Sequence, residues 1–599
     1  MMVFSLVGRH LPRCRIGTAS LRPRLLSTAS PSRESRLLSS RRLITVGLAS
    51  SALVGATLFV QDARAGAQEL RELTEKNPVA TARDKPSSSL ATLIRTYIVY
   101  SFCSIPPLVD WSPTILETLS SVPGLRQITE AVVRATFFKQ FVGGDTAEAV
   151  IPLIDELRAQ NTGCLFAYSV EVDQAEAGSG GGQSQSETNK TASTVHKQIV
   201  SETLHCIDVA ADYEDKHTIG STGRRTWVAI KLSAMVADAE SLRRLSQYLV
   251  NTRPRIAEPP VAFPGCPLPT DLDVLSSPSL PGPLTRADIA NLRELREDLV
   301  RICTRAQERG IRLIFDAEYS WYEPAIDAFT LDMMRYFNKL PSLPKSSWFG
   351  SPGKVETSAG VQPLIYATYQ AYLRRTPEYL VQSIAAAREG GYSLGVKLVR
   401  GAYHPHEIAA HPATAPSADK SAIPPGFGAS YSPSISPDPV PPVWTEKSET
   451  DARYNACVRA LIAAVRADVE ARTRTPTIGV LFGTHNWESA NLVVDELVRQ
   501  RLGSVDANGV VAIGDAVAER VTMGQLFGMT AVLTNYLANR VQSSSPFVIK
   551  YIPYGQLSEV MPYLSRRAIE NKSVLGNGAA IEERRRAAAE IAARIFTFT

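Results

Sequence analysis

Eight short apolar runs, each followed by the apolar spacing of a helix, constrain the fold of this chain more than any other feature. Near-continuous apolar strands that alternate with helices are typical of a parallel sheet covered on both faces. Eight such units predict one α/β domain, a (β/α)8 barrel. The fourth and seventh runs could also begin helices. The runs are 163–170, 227–234, 312–318, 363–370, 394–401, 478–486, 521–528 and 548–555.

Helical spacing on either side of these runs extends the predicted domain. Residues 87–160 predict an N-terminal helical arm packed on the barrel, the barrel is assigned to 161–580, and 581–599 predict a C-terminal helix. Three segments within the barrel are rich in Pro, Gly, Ser or Ala. We interpret them as loops or disordered excursions, because strand and helix patterns continue beyond each one. They are 175–191, 251–285 and 408–442.

The first 42 residues contain nine arginines, no lysine and a single acid, Glu34, as is typical of a mitochondrial presequence. This excess of positive charge is larger than the +5 of the whole chain, so the remainder is net negative. The basic composition therefore gives no support to nucleic-acid binding. Residues 43–60 carry no charge and open a segment, 43–86, that predicts a membrane anchor or an extension of the targeting region. We favour the second interpretation.

The seven cysteines are scattered along the chain and form no Cys-x-x-Cys pair. This pattern argues against both a disulfide framework and a zinc site. A reducing compartment, such as the mitochondrial matrix, fits it.

Polar side chains cluster at the carboxyl ends of the predicted strands. In a barrel these ends meet at one face, where such enzymes carry their active sites. Each residue also has a structural explanation: a lysine can extend to solvent, an aspartate can cap a helix, and a lone histidine can be a hydrogen-bonded structural group. The residues are Lys231, Asp316, Glu318, Gln370, Lys397, Arg400, His485, Asn486 and Tyr551.

The last strand leads through a turn into a helix that carries the adjacent pair Arg566 and Arg567, with Glu570 one turn later. Such a pair can simply be a basic helix surface. With Lys231 at the same face, however, three cations favour an anion such as a carboxylate or phosphate, balanced by Asp316 or Glu570. The same cations disfavour a metal site. No Gly-x-Gly-x-x-Gly follows a predicted strand and no Walker-type loop occurs, so any dinucleotide must be held by the barrel itself.

Several ordered motifs resemble the mitochondrial proline dehydrogenase family. They are QFVGGDT (140–146), FDAEYSWYEPAID (315–327), KLVRGAY (397–403), GTHN (483–486), GQLFGM (524–529), and YIPYG followed by PYLSRRAIEN (551–571). The resemblance extends over about 130–575 apart from the three interrupting segments. It implies a distorted (β/α)8 barrel that binds FAD without a covalent link and oxidises L-proline to Δ1-pyrroline-5-carboxylate. The hydride would pass to flavin N5 and the electrons to ubiquinone.

The resemblance also implies partners and a location. The enzyme would work on the matrix side of the mitochondrial inner membrane, associate with that membrane peripherally, and be coupled to pyrroline-5-carboxylate dehydrogenase. No nucleic acid and no metal are expected. Proline catabolism to glutamate would begin with its reaction.

Site residues follow from the resemblance position by position. Arg566, Arg567 and Lys231 match the clamp for the substrate carboxylate, and with Asp316 and Tyr551 they are the expected catalytic residues. Glu171 matches an acid that pairs with the first arginine to close the site. Residues matching the proline pocket are Asp316, Tyr551, Tyr563, Leu398 and Leu526. Residues matching FAD contacts are Gln370, Lys397, Val399, Gly401, Thr445, His485, Asn486 and Glu570.

Other functions stay open beside proline oxidation. Relatives that oxidise hydroxyproline tend to have a smaller polar residue where Tyr551 stands, so this tyrosine favours proline. A barrel that has lost catalysis and serves as a binding protein would be colourless or inert. A metal-dependent aldolase or hydrolase is the weakest alternative. Two departures from relatives are Lys397, where some have Arg, and His404, where some bacterial members have Trp.

Overall fold

The computed structural model describes residues 55–72, 75, 89–122, 124–169, 185–218, 222–254, 261–277, 282–341, 361–411, 432–473, 475–572 and 579–596. The chain divides into two compact units, Met1–Gln61 and Asp62–Thr599. In the first unit the described residues, 55–61, are helical. The predicted presequence, most of the uncharged run 43–60 and Glu171 lie outside the described residues. Within the described ranges no helix is long and apolar enough to cross a membrane.

Eight parallel strands of the second unit close into a barrel in the order β1-β2-β3-β4-β5-β6-β9-β11. The barrel predicted from the eight apolar runs is therefore confirmed, and each run contains or overlaps one of its strands. The fourth and seventh runs form strands rather than helix starts. The strands are β1 Thr162–Tyr168, β2 Thr226–Ile230, β3 Leu313–Phe315, β4 Ile365–Gln370, β5 Leu394–Val399, β6 Ile478–Gly483, β7 Gly503–Val505, β8 Val511–Ile513, β9 Val521–Leu526, β10 Val541–Gln542 and β11 Val548–Tyr554.

Alternate side chains of the barrel strands fill its interior, as the two-residue period of a strand requires. An inner cluster contains Leu165, Trp227, Ile314, Tyr366 and Leu481, and the ring of Tyr551 packs against it. The intervening side chains join the larger core between the strands and the surrounding helices. β1 and β11 close the barrel through a seven-residue parallel register that runs from Thr162 opposite Val548 to Tyr168 opposite Tyr554.

Seventeen labelled helices surround or flank the barrel in the described chain. α8 shows how local sequence sets the ends of a helix: a capping box between Thr285 and Asp288 begins it, and Gly310, with a φ of 65°, ends it in the left-handed conformation. The first nine are α1 Leu90–Cys103, α2 Pro106–Ser120, α3 Leu125–Val133, α4 Lys139–Phe141, α5 Ile151–Ala159, α6 Gln185–His217, α7 Glu240–Thr252, α8 Arg286–Arg309 and α9 Glu323–Phe337. The others are α10 Thr376–Gly390, α11 His404–Ala410, α12 Lys447–Glu470, α13 Trp487–Arg499, α14 Asp515–Ala518, α15 Ala531–Arg540, α16 Leu557–Lys572 and α17 Ala579–Phe596.

The predicted N-terminal helical arm supports the helix that follows the last strand. Val99, Tyr100 and Cys103 of α1 share a buried cluster with Tyr563 and Leu564 of α16. The C-terminal helix α17 packs against α1. The arm therefore fixes the position of α16, and with it the arginine pair.

The opposite, amino-terminal face of the barrel is held by a buried ion cluster. Glu519 Oε2 lies 2.7 Å from Arg312 and Glu519 Oε1 lies 3.6 Å from Arg225, while the Gly223 N–H donates to the same carboxylate at 2.7 Å. The two guanidiniums hold the pKa of Glu519 at about 2, below its usual 4.5, against the opposing effect of burial. In barrels of this kind the amino-terminal face usually contributes to stability, whereas the active site lies at the carboxyl-terminal face.

The interrupting segments differ in part from the prediction. Gln185–Thr191 was predicted as flexible linker but belongs to α6, because no Gly or Pro occurs between Gln185 and His217 to stop the helix. In 251–285 the described residues are mostly irregular, but Phe263 and Leu275 are buried, so the segment packs on the core. Of 408–442, residues 412–431 lie outside the described residues. A small sheet in the order β10-β8-β7 was not predicted, since its strands have only two or three residues.

Candidate active site

Three of the predicted residues form a connected group at the carboxyl end of the barrel. The Lys397 ammonium lies 2.5 Å from Asp316 Oδ1, and the Tyr551 hydroxyl donates to Asp316 Oδ2 at 3.0 Å. The same ammonium lies 5.3 Å from the centre of the Tyr551 ring. Burial and the Asp316 charge raise the pKa of Tyr551 well above its usual value, so the phenol stays protonated and donates. β5, β11 and the residue after β3 are thereby joined inside the barrel mouth.

The two adjacent arginines of α16 have different surroundings. Arg567 is buried, lies 2.5 Å from Glu570, and places its guanidinium 5.0 Å from the centre of the Tyr563 ring. Arg566 is half-buried and donates to the Tyr403 hydroxyl at 3.3 Å, with its guanidinium 5.3 Å from the centre of that ring. Burial and Asp316 raise the pKa of Tyr551, which the Arg566 charge opposes, and burial lowers the pKa of His485, to which the Arg567 charge adds. The pair is therefore more than a basic surface.

Lys231 stands where β2 turns into a short 3-10 helix, Leu232–Met235. That turn is anchored by Glu318, whose carboxylate accepts from the Ser233 N–H at 3.0 Å and from the Ser233 hydroxyl. Burial raises the pKa of Glu318, and the Lys231 charge opposes this shift. Gln370 donates to the Glu318 carbonyl at 2.9 Å, so the loops after β2, β3 and β4 form one network.

His485 is held as a neutral hydrogen-bonding group. The Leu526 N–H donates to its Nε2 at 3.1 Å, so Nδ1 carries the proton and donates to the Thr530 hydroxyl at 2.5 Å. Burial, with the charges of Lys550 and Arg567, lowers the pKa of His485 to about 3. This contact fixes Leu526 at the end of β9. Both the structural and the cofactor interpretation of this histidine fit these contacts.

Asn486 caps α13, since its side-chain oxygen accepts from the Ser489 N–H at 2.9 Å. Leu398 is fully buried and lies in the core outside the strands, on the opposite face of β5 from Lys397. The structure therefore does not bring Leu398 to the group formed by Asp316, Lys397 and Tyr551. Val399 ends the same strand and is half-buried.

The position of Thr445 follows from backbone contacts of the residue before it. The Trp444 N–H donates to the Tyr372 carbonyl at 2.8 Å, and His404 Nε2 lies 2.8 Å from the Trp444 carbonyl. Gly401, with a φ of 125°, lies against the same tyrosine: a Cβ there would be 2.4 Å from the Tyr372 ring. The backbone at Trp444, which precedes Thr445, therefore lies beside Tyr372 and the residues after β5.

Two residues at the mouth were not predicted as site residues. Tyr403 contacts Arg566, and it is the last letter of the KLVRGAY motif, which could have indicated it. Lys550, next to Tyr551, is buried and donates to the carbonyls of Met529 at 3.0 Å and Leu526 at 3.3 Å. Burial lowers its pKa to about 7. A charged residue within an apolar strand is unusual, and this signal in the sequence could have indicated Lys550.

Comparison with known proteins decides the family. The family described as "Proline dehydrogenase" matches residues 157–417 and 438–579, which is more than half of the chain. The chain belongs to the proline dehydrogenase family. It is an oxidoreductase, and the resemblance seen in the sequence motifs is confirmed.

Individual proline dehydrogenases and related enzymes are similar over most of the chain. Proline dehydrogenase 1, mitochondrial, from Dictyostelium discoideum is 25% identical, covering 82% of this chain and 70% of that protein. Hydroxyproline dehydrogenase from Rattus norvegicus is 26% identical, covering 81% of this chain and 88% of that protein. Both substrate classes thus occur among relatives of equal similarity.

One solved structure supports the fold of this proline dehydrogenase family member. Proline utilization A from Bdellovibrio bacteriovorus, inactivated by N-propargylglycine, superposes with a TM-score of 0.52 at 15% identity. The match covers 89% of this chain but only 44% of that longer protein. At this identity the likeness concerns the barrel fold alone.

Proposed function

We propose that this protein oxidises L-proline to Δ1-pyrroline-5-carboxylate, using FAD as the hydride acceptor and ubiquinone as the electron acceptor. The observation that carries the proposal is the Arg566 and Arg567 pair in a proline dehydrogenase family member: Arg566 contacts Tyr403, just after β5, and Arg567 is buried against Tyr563. Proline is a small apolar ring with one carboxylate. A guanidinium is the best protein partner for a carboxylate, because its parallel N–H groups match the two oxygens.

Orientation of the substrate is the task of the chain's own residues. Arg566, Arg567 and Lys231 hold the carboxylate, and the side chains of Leu526 and Tyr551 press against the ring. Holding a small substrate in its reactive orientation supplies much of the rate enhancement of an enzyme. The bond between Tyr551 and Asp316 keeps the phenol from moving away from the ring. FAD, when bound, supplies the redox chemistry.

The described residues fit an anionic, ring-containing cofactor beside β5. The buried Trp444 Nε1 and Tyr372 hydroxyl have no hydrogen-bond partner within the described part of the chain. The guanidiniums of Arg374 and Arg453 lie 4.6 Å and 4.8 Å from the centre of the Trp444 ring. Free donors next to clustered positive charge suit the hydroxyl and phosphate oxygens of FAD. Residues proposed to hold it are Gln370, Lys397, Val399, Gly401, Thr445, His485, Asn486 and Glu570.

Proline is favoured over hydroxyproline by the environment of Tyr551. Its hydroxyl is engaged by Asp316 and its ring packs on the inner cluster, so the side chain cannot swing aside to admit a ring hydroxyl. Hydroxyproline oxidation is the second candidate, because relatives named for it are equally similar.

The proposed location follows from the sequence and the relatives. Several relatives are named mitochondrial, and the first 42 residues have presequence composition. We place the enzyme on the matrix side of the inner membrane, in peripheral contact with it, where ubiquinone is available. Its product would pass to pyrroline-5-carboxylate dehydrogenase.

An absorbance spectrum of the purified protein tests the proposal most directly. We expect flavin bands that bleach when proline is added without oxygen and return when a soluble ubiquinone analogue is added. Bleaching by hydroxyproline in clear preference to proline would reassign the substrate. A colourless protein that binds no added FAD would favour the inactive barrel and overturn the proposal.

A further inference from the structure

Two loops at the barrel mouth are joined by a double set of contacts. The Tyr319 hydroxyl, in the loop after β3, lies 2.8 Å from Nδ1 of His406 in α11. The next residue, Ser320, donates its N–H and its hydroxyl to the Glu407 carboxylate at 2.7 Å and 2.6 Å. Neighbouring residues of one loop thus contact neighbouring residues of the other.

The first of these contacts continues to the arginine pair through aromatic rings. The Tyr319 ring stacks on Trp321 with centres 4.4 Å apart, and it also packs against the Tyr403 ring with centres 4.2 Å apart. Tyr403 in turn accepts the hydrogen bond from Arg566 and lies beneath its guanidinium. A chain of contacts therefore runs from His406 to Arg566 without leaving the barrel mouth.

The chemistry of each contact suits the fixing of a cation. A guanidinium on a tyrosine face is held by the ring's negative π surface, so a tilt of the ring moves the preferred position of the cation. Burial and the Arg566 charge both lower the pKa of His406, which favours the neutral imidazole. A neutral imidazole whose Nδ1 lacks a proton accepts from the Tyr319 hydroxyl. This hydrogen bond sets the orientation of the Tyr319 ring, which packs against the ring of Tyr403.

We propose that Tyr319 and His406 are positioning residues, which act through the ring of Tyr403 to hold the Arg566 guanidinium where the substrate carboxylate binds. The inference rests on the proposed function of Arg566. Glu407 and Ser320 already join the same two loops, so the Tyr319–His406 contact is not needed merely to hold them together. Its separate purpose is the orientation of the aromatic rings.

Three variants separate positioning from folding. Tyr319→Phe keeps the stacked ring and removes the hydroxyl, and His406→Ala removes the acceptor. His406→Asn returns a side-chain oxygen that can accept at a similar reach. We expect the first two to raise the KM for proline by roughly three- to tenfold, as the loss of one hydrogen bond implies, with kcat within about twofold. His406→Asn should recover most of the wild-type KM.

Binding of cyclopentanecarboxylate, which has the ring and carboxylate of proline without its amine, gives a second readout. Its dissociation constant, measured by flavin difference absorbance, should rise in step with the KM. FAD content and melting temperature should stay close to wild type, whereas Glu407→Gln, which disturbs the loop junction itself, should lower the melting temperature.

Unchanged KM and dissociation constants in Tyr319→Phe and His406→Ala would overturn the inference, and so would a loss of kcat together with FAD. An enzyme whose wild-type form is neither bleached by proline nor able to bind cyclopentanecarboxylate would instead contradict the proposed function. The two failures are therefore distinguishable.

Discussion

The Tyr551 hydroxyl lies 3.0 Å from one oxygen of Asp316, and the Lys397 ammonium lies 2.5 Å from the other. One buried carboxylate thus serves a residue assigned to the substrate pocket and a residue assigned to the cofactor. Removing either partner leaves a buried polar group unsatisfied, which costs more than the bond itself contributes. This carboxylate therefore links the proposed substrate pocket to the proposed cofactor site.

A double-mutant cycle should measure that coupling. Asp316→Asn leaves the Lys397 ammonium without its counter-charge, so we expect a loss of about 2–3 kcal/mol in the free energy of unfolding and weaker FAD retention. Adding Lys397→Met to this variant should recover part of the loss, because the unpaired cation is gone. Urea unfolding of the four proteins checks this. Strictly additive losses would show that the two side chains do not interact.

Substitution of Tyr551 should change substrate preference. Tyr551→Ser opens space beside the ring and adds a hydroxyl, so the ratio of kcat/KM for hydroxyproline to that for proline should rise by roughly tenfold or more. Tyr551→Phe keeps the ring volume and removes only the bond to Asp316. This matched variant should lower kcat/KM for proline while leaving the ratio near its wild-type value. Steady-state kinetics on both amino acids decide the matter, and equal ratios in all three proteins would contradict the assigned role.

Arg566→Met should weaken substrate binding far more than it alters the fold. Loss of a charged contact to the carboxylate should raise the KM for proline by about 100-fold, while FAD stays bound. Arg567→Met should do the same and also lower the melting temperature, because Arg567 is buried against Tyr563 and Glu570. Arg126→Met, on the exposed surface of α3, is the matched control. An unchanged KM in Arg566→Met would remove the clamp from the mechanism.

Acid should destabilise the enzyme partly through Glu519. Its pKa is lowered from 4.5 to about 2 in the folded state, so its contribution is complete above pH 4.5 and is lost as the pH falls towards 2. A shift of this size corresponds to about 3 kcal/mol. The stability difference between wild type and Glu519→Gln should therefore shrink on acidification. Chemical denaturation at several pH values between 7 and 3 tests this, and a difference that does not vary with pH would refute it.

The barrel could be predicted from the sequence because its strands are buried on both faces. An apolar run such as 478–486 indicates a strand without any information about its neighbours in space. Polar residues mark where such strands end, as Asp316 does after β3 and His485 after β6. The same local information failed at Gln185–Thr191, where a polar composition suggested a linker although nothing stops the helix. Strands as short as Val541–Gln542 carry no pattern of their own.

Much of the candidate site depends on contacts between distant parts of the chain, which no local pattern contains. The contact of Tyr319 with His406 and that of Arg566 with Tyr403 each join residues far apart in the sequence, and they follow from how the loops and helices meet in the fold. Leu398 shows the limit of a motif match, which assigns it to the pocket, whereas strand alternation places it on the opposite face of β5 from Lys397. The roles of these residues stay predictions until the variants are measured.

The pairing of β1 with β11 has a consequence for the order of events during folding. Thr162 pairs with Val548, so the barrel cannot close until nearly the whole chain is available. Contacts between such distant residues are slow to form, because a long loop must be closed first. The arginine pair lies on α16, the helix that follows β11, so a chain that ends before β11 lacks both the closing strand and the proposed anion site. Barrel closure and assembly of the proposed binding site therefore depend on the same late segment of the chain.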